Sequence, residues 1–131
     1  MESILSLDHI YYSYHDKNGE TPVINDLSFE IEPGSFTSIV GPSGCGKSTL
    51  LSLLCDLIKP EAGTIYIRPP ENNPDSRMGY MLQKDNLFEW RSIYKNVMLG
   101  LEINNKKTPE NIAYVNHLLE QYDLAEFKSA R

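Results

Sequence analysis

The sequence predicts an α/β fold with an antiparallel β segment ahead of a glycine-rich core, and three observations carry the prediction. Val23 to Ile31 sets Leu27, Phe29 and Ile31 against Ser28 and Glu30, the period of a half-buried strand. Ser35-Phe36-Thr37-Ser38-Ile39-Val40 is a short run whose end is apolar and which stops at Gly41, as a buried strand would. From Lys47 onward, Leu50, Leu51, Leu53, Leu54, Leu57 and Ile58 recur at helical spacing, so a glycine-rich loop opens directly into a helix with a wide apolar face.

The remaining elements follow in order. Ile4, Leu5, Leu7 and Ile10 lead into Tyr11-Tyr12-Ser13-Tyr14, a strand running into a loop over His15 to Pro22. Pro33-Gly34 ends the second strand as a turn, and Lys59-Pro60 ends the first helix. Gly63 to Ile67 reads as a strand, Arg68 to Arg77 as a proline- and asparagine-bearing surface loop, and Met78 to Leu82 as a further short strand. Ser92 to Ile103 is helical in pattern, with Ile93, Val97, Gly100 and Leu101 on one side. Thr108-Pro109-Glu110 has the form of a capped helix start with proline at the first helical position, and Ile112, Val115, Leu118, Leu119 and Tyr122 carry that last helix.

At 131 residues the chain fits one ordinary domain. A net charge of -6 leaves no broad basic surface for neutralising a nucleic-acid backbone, so DNA and RNA are not expected partners. Cys45 and Cys55 lie close together in one loop and its following helix, which argues for two reduced thiols, and His9, His15 and His117 are too dispersed in sequence for a metal site. The N-terminus lacks the positive and apolar regions of a signal peptide. The longest apolar stretch, Leu50 to Ile58, is interrupted by Ser52 and Asp56 and falls short of the ~20 residues that span a bilayer. A cytoplasmic chain that meets the membrane through a partner is the expectation.

Gly41-Pro42-Ser43-Gly44-Cys45-Gly46-Lys47-Ser48-Thr49 fits the pattern glycine, four residues, Gly-Lys-Ser/Thr. Glycine makes up only about 7% of residues, so the pattern is a rare coincidence, and its strand-before, helix-after context is the one the chemistry requires. Gly41, Gly44 and Gly46 let the backbone wrap closely, so that loop amides, those of Ser43 and Cys45 included, approach a phosphate. The helix dipole adds positive potential, Lys47 places an ammonium between β- and γ-phosphates, Ser48 offers a hydroxyl to Mg²⁺, and Thr49 can bond a phosphate oxygen. The competing reading is a glycine-rich turn that binds nothing.

The run Ile39 to Leu51 resembles the Walker A region of ABC-transporter ATPases, down to its Pro-Ser-Gly-Cys filling. Upstream, Tyr14 matches the aromatic residue that stacks on adenine in that family, followed by Asn25-Asp26-Leu27-Ser28-Phe29 and Pro33-Gly34. Downstream, Gly79-Tyr80-Met81-Leu82-Gln83 resembles the family's Q-loop, whose glutamine senses Mg²⁺ and the attacking water. Leu87-Phe88-Glu89-Trp90-Arg91-Ser92-Ile93 and Asn96-Val97 are similar to the branch serving nitrate, sulfonate and taurine importers, with Glu89 where that branch usually has proline. Asp56 stands where the family usually has glycine.

The resemblance implies a P-loop NTPase with a RecA-like core: a β segment over about residues 1–35, the P-loop core from about 36, and the Q-loop with the start of a helical subdomain over about 83–131. It implies ATP and Mg²⁺ as ligands, Lys47 and Gln83 in catalysis, and Ser48 and Gln83 at the metal. It also implies a transmembrane permease subunit and a second ATP-binding subunit as partners, with a solute-binding protein engaged indirectly, and import of a small solute as the task. Three residues keep plainer readings: Tyr14 as a packed tyrosine, Gln83 as a solvent-facing strand end, and Trp90 as a core residue rather than a contact for a membrane partner.

That family continues with a Leu-Ser-Gly-Gly-Gln-like signature, a Walker B aspartate with a catalytic glutamate, and a switch histidine, none of which occurs in residues 1–131. The expected fold is therefore incomplete on its C-terminal side, with the P-loop strand missing a neighbour and the isolated chain only marginally stable. The chain by itself is expected to bind ATP without hydrolysing it, since water positioning and a second metal ligand are not encoded here. Two alternatives stand beside an importer subunit: a non-hydrolysing nucleotide-binding fragment or regulator, and a different P-loop enzyme such as a kinase.

Overall fold

Leu5, Leu7 and Ile10 break the period of two, because in a regular strand Ile10 would point away from the face that buries the two leucines. The computed structural model, which describes residues 3–69, 78–84 and 86–131, resolves the conflict with bulges. β1 (Leu5–Asp16) and β2 (Gly19–Ile31) form an antiparallel hairpin whose register shifts between Leu7 and Ile10 and again between Ile10 and Tyr12. His9 and Asp26, at φ 49° and 55°, are the left-handed residues of these two irregularities. His9 Nδ1 and Asp26 Oδ1 bond at 2.5 Å, and the His9 amide donates to Ser28 Oγ at 2.8 Å. These first two shifts offset each other, ahead of a third between Tyr12 and Ser13, and Leu5, Leu7 and Ile10 of β1 and Ile24 of β2 reach one buried cluster.

β3 (Ala62–Ile67) pairs antiparallel with the other edge of β1, giving the order β2-β1-β3. Gly63 lies against the His9 bulge: a Cβ there would stand 2.2 Å from His9 O and 2.5 Å from Asp8 O. The loop expected over His15 to Pro22 is instead strand, with His15 opposite Glu20 and Asp16 opposite Gly19. Pro22 is compatible with that pairing because β2 is an edge strand, where a missing amide donor costs little. At the hairpin end, His15 Nε2 also meets Glu61 Oε1 at 2.5 Å, in the residue before β3.

α1 (Lys47–Leu54) is only eight residues long, too short to hold in water unaided. Its Leu50, Leu53 and Leu54 are buried in the hairpin's cluster, each such burial contributing roughly 1.5–3 kcal/mol. The helix stops before Leu57 and Ile58, although the apolar spacing continues. Asp56 takes φ 59°, its amide donates to Leu53 O at 3.1 Å, and the Leu57 amide reaches back to Ser52 O at 2.9 Å. This is a left-handed stop with both return bonds made, in the position where glycine is most at ease.

The runs Ser35–Val40 and Met78–Leu82, expected to be strands, have no strand partner among the described residues. Phe36, Val40 and Met81 are 95%, 88% and 93% exposed. Apolar, β-prone composition marks what a segment can bury, but a strand exists only where another backbone answers its amides and carbonyls. Of the loop expected over Arg68 to Arg77, residues 70–77 lie outside the described residues, as does Asp85.

The chain forms two compact units, one up to Tyr80 and one from Met81 on. In the second, the helix expected over Ser92–Ile103 is two: α2 (Ile93–Val97) and α3 (Leu99–Ile103), divided at Met98. Met98, not Val97 or Gly100, faces inward; it is buried with Val115 and Leu119 of α4 (Pro109–Gln121), with Ile93, Tyr94, Leu101 and Ile112 around them. Thr108 caps α4 by accepting the Asn111 amide at 3.2 Å, with Pro109 at the first helical position, as the sequence predicts. α3 and α4 end as α1 does, on Asn105 and Asp123 at φ 53° and 57°, with return bonds from Lys106 to Leu101 and from Leu124 to Leu119.

Gly63→Ala should destabilise the chain by about 2 kcal/mol or more, since the new Cβ meets rigid backbone at a left-handed position; a denaturant midpoint equal to wild type would contradict the packing. Asp56→Gly should stabilise by about 1 kcal/mol by removing side-chain strain at φ 59°, read as a higher midpoint at unchanged m-value. The hydrogen bond between His15 and Glu61 raises the histidine above its ordinary 6.5 and lowers the carboxylate below its ordinary 4.5. The histidine's contribution is complete below pH 6.5 and fades as pH rises through its raised pKa, while the carboxylate's is complete above pH 4.5 and fades as pH falls. The stability difference between wild type and His15→Gln should therefore be largest between those two values and shrink on both sides, in melts run from pH 3 to about 9.

Candidate functional site

The loop between Gly41 and Gly46 turns tightly, with the Cys45 amide donating to Pro42 O at 3.3 Å and Gly44 at φ 80°. Gly46 then enters α1 at φ 103° and is its N-cap. A glycine cap offers no side-chain oxygen, and no side-chain hydrogen bond caps this helix. The amides of Lys47, Ser48 and Thr49 therefore lack both an intrahelical acceptor and a side-chain cap, and they add to the positive end of the helix dipole. Such an end, entered through a close-wrapped loop, is suited to a phosphate group.

Lys47 arches back over the loop, its Nζ donating to Gly41 O and, at 2.8 Å, to Pro42 O, with Cys45 Sγ 3.6 Å away. Its ammonium thus lies over the concave side of the loop, held by carbonyls that an anion can replace as partner. Gly41, Pro42, Ser43, Gly44 and Cys45 are exposed, Gly46 and Lys47 half-buried, and Ser48 exposed. The Ser48 hydroxyl belongs to the first turn beside Lys47, and an oxygen donor there suits a hard cation such as Mg²⁺. Thr49 is buried.

Tyr14, on β1, is brought to this loop by the hairpin's packing on α1. Its Oη lies 2.9 Å from Thr49 Oγ1, and its ring forms a T-shaped pair with Tyr12 at 5.2 Å between centroids. The ring is half exposed, so it is not a packed core tyrosine. The structure therefore gathers Tyr14 with Gly41 to Thr49 in the first unit. Gln83 lies in the second unit, exposed, in a bend. A feature the dispersed histidines do not disclose is the approach of His15, Glu20 and Glu61, whose ligand atoms lie within 4.8 Å of one another on the exposed hairpin end. The ion pair of His15 with Glu61 accounts for that approach.

In the second unit, Asn96 organises the turn before α2. Its Oδ1 accepts the Phe88 amide at 2.9 Å and its Nδ2 donates to Phe88 O at 3.1 Å, Arg91 O at 3.3 Å and Ser92 O at 3.2 Å. Arg91 closes a turn on Phe88 O at 2.9 Å, placing Glu89 at the second turn position, where proline is also favoured. Arg91 bonds Glu102 at 2.6 Å and Lys107 adds a contact at 3.0 Å, holding the Glu102 carboxyl below the usual carboxylate range. Trp90, tilted at 39° against Phe88 with ring centroids 4.7 Å apart, is 72% exposed in this chain. No helix among the described residues is long and apolar enough to cross a membrane.

Comparison with known proteins places this geometry. The family model described as ABC transporter matches residues 24–131. An uncharacterized ABC transporter ATP-binding protein, YtlC of Bacillus subtilis, is 42% identical over 95% of this chain and 48% of its own length. The taurine import ATP-binding protein TauB of Jannaschia is 36% identical over 84% of this chain and 41% of its own. The chain thus spans about half the length of the curated relatives it matches. Among solved structures, the dimeric ATP-binding cassette MJ0796 in a post-hydrolysis state bound to ADP and Pi shares the fold, with a TM-score of 0.78 at 24% identity over 95% of this chain and 60% of that one. With a family match across most of its length, the chain belongs to the ABC transporter family.

Proposed function

We propose that this chain forms the nucleotide-binding half of an ABC-type ATPase subunit that powers uptake of a small solute. The observation that carries the reading is the glycine-capped start of α1, where first-turn amides and the Lys47 ammonium converge on one exposed loop. In this reading Gly41, Ser43, Gly44, Cys45 and Gly46 wrap the phosphates with their amides and Lys47 neutralises the β- and γ-phosphates. Thr49 bonds a phosphate oxygen and the Tyr14 ring stacks on adenine. Ser48 would offer its hydroxyl to Mg²⁺, which supplies charge neutralisation at the phosphates when bound.

Hydrolysis is assigned to the whole protein, with Lys47 and Gln83 as this chain's share, and requires a second ATP-binding subunit. The taurine import role named for the 36%-identical relative supports import over export. The exposed Phe88 and Trp90 pair, fixed by Asn96, supports a docking role towards a permease subunit, which would place the protein at the inner face of the membrane with a solute-binding protein engaged indirectly.

Lys47→Ala should weaken ATP binding by about 10- to 100-fold, the worth of lost charge-assisted bonds, while leaving the thermal midpoint in the absence of ATP within a few degrees of wild type. Titration calorimetry with Mg-ATP measures the first and a melt the second. Unchanged affinity would remove the phosphate-loop assignment.

A further inference from the structure

Thr49 is the third residue of α1 and belongs to the phosphate loop, yet its hydroxyl bonds a residue 35 positions earlier, Tyr14 of β1, at 2.9 Å. Thr49 is buried and Tyr14 half exposed, so the bond ties the foot of an exposed ring to a fixed point. Tyr12, from within the same strand, forms a T-shaped pair with that ring at 5.2 Å between centroids and 89°. Two contacts of different direction thus restrict the ring, which a lone tyrosine near a strand end would not have.

The geometry points to Thr49 as a positioning residue for the base platform: its hydroxyl holds the Tyr14 ring in the pose that receives a purine base, so that one side chain serves both ends of the nucleotide. The inference rests on the reading of Tyr14 as the adenine platform. A threonine hydroxyl has one hydrogen to donate and two lone pairs to accept with. With Tyr14 as donor, Thr49 keeps its own hydrogen for a phosphate oxygen, so the two tasks do not compete. Ordering the ring beforehand removes a rotamer cost that binding would otherwise carry, roughly 0.5–1.5 kcal/mol for a mobile side chain, corresponding to about 2- to 12-fold in affinity. The phenol oxygen, and not only the ring, then contributes to nucleotide affinity.

The test compares Mg-ATP with Mg-tripolyphosphate, which lacks base and sugar, by calorimetry on the wild-type chain and its variants. Tyr14→Phe keeps the ring and removes only the bond. It should bind Mg-ATP about 3- to 10-fold more weakly and Mg-tripolyphosphate within about 2-fold of wild type. Thr49→Ser, which keeps the hydroxyl, should bind Mg-ATP within about 2-fold of wild type, and Tyr14→Phe placed on Thr49→Val should cost nothing beyond Thr49→Val alone. ATP affinity unchanged in Tyr14→Phe, an equal loss for both ligands, or an additive loss in the double variant would each overturn the proposal. Tyr14→Ala separates it from the reading beneath. If Tyr14→Ala weakens ATP and Tyr14→Phe does not, only the positioning role fails; if neither does while Lys47→Ala still does, the adenine platform itself fails.

Discussion

The first unit depends on one close approach, that of Gly46 to Val23. A Cβ at Gly46 would stand 2.8 Å from Val23 Cγ1 and 3.3 Å from Val23 O, and the residue sits at φ 103°. Only glycine meets both conditions without strain. Because α1 begins at this contact, its direction over the hairpin is set there, and with it the burial of Leu50, Leu53 and Leu54. The same start leaves the helix without a side-chain cap and places Thr49 under Tyr14. Stability and the candidate site are thus not separable here: the contact that seats the helix on its core also exposes the amides that suit a phosphate.

What the sequence discloses of this arrangement follows the range of the forces involved. The loop, the α1 start and the Thr108 cap were legible because each is specified by residues within one helical turn of one another. The hairpin end was not, because the pairing of His15 with Glu20 is a cross-strand fact, and Pro22 at an edge carries the same local signal as Pro22 in a loop. The runs 35–40 and 78–82 show the converse error. Their composition is that of buried strands, and they stand exposed because no described backbone pairs with them. A strand is a relation between segments, and propensity reports on only one of them. The approach of Tyr14 to Thr49 was likewise invisible locally, since it needs both the hairpin register and the helix direction.

The three helix stops explain a residue that resemblance alone left unaccounted for. Asp56 ends α1 at φ 59°, and α3 and α4 end on Asn105 and Asp123 in the same left-handed conformation. All three stops make both return bonds of the motif. Asparagine and aspartate are the non-glycine residues that enter this region at least cost, because a short polar side chain can bond nearby backbone. The chain therefore uses the same chemistry at each of these stops, and Asp56 makes the left-handed geometry without glycine. In sequence the signal is an Asx residue just past an apolar period, and it weighs against extending α1 through Leu57 and Ile58 merely because they are apolar.

In the second unit, the turn that carries Trp90 is expensive to build for a surface loop. Asn96 spends its whole amide on it, contacting Phe88, Arg91 and Ser92, and Arg91 is engaged with Glu102, which Lys107 also meets. These bonds fix the backbone beneath two aromatic rings in tilted contact without burying them. Leaving Trp90 72% exposed forgoes apolar burial at roughly 25 cal/mol for each Å² that stays in water. A flexible loop could fold such rings away; a rigid one holds them out. Ordering that opposes the hydrophobic effect on the free surface is compensated where another surface covers the rings, and the rigidity lowers the entropy lost when that happens. The same economy governs Tyr14 in the first unit, where an exposed ring is ordered by a buried hydroxyl. In each unit polar contacts, and not packing alone, hold an aromatic face in water.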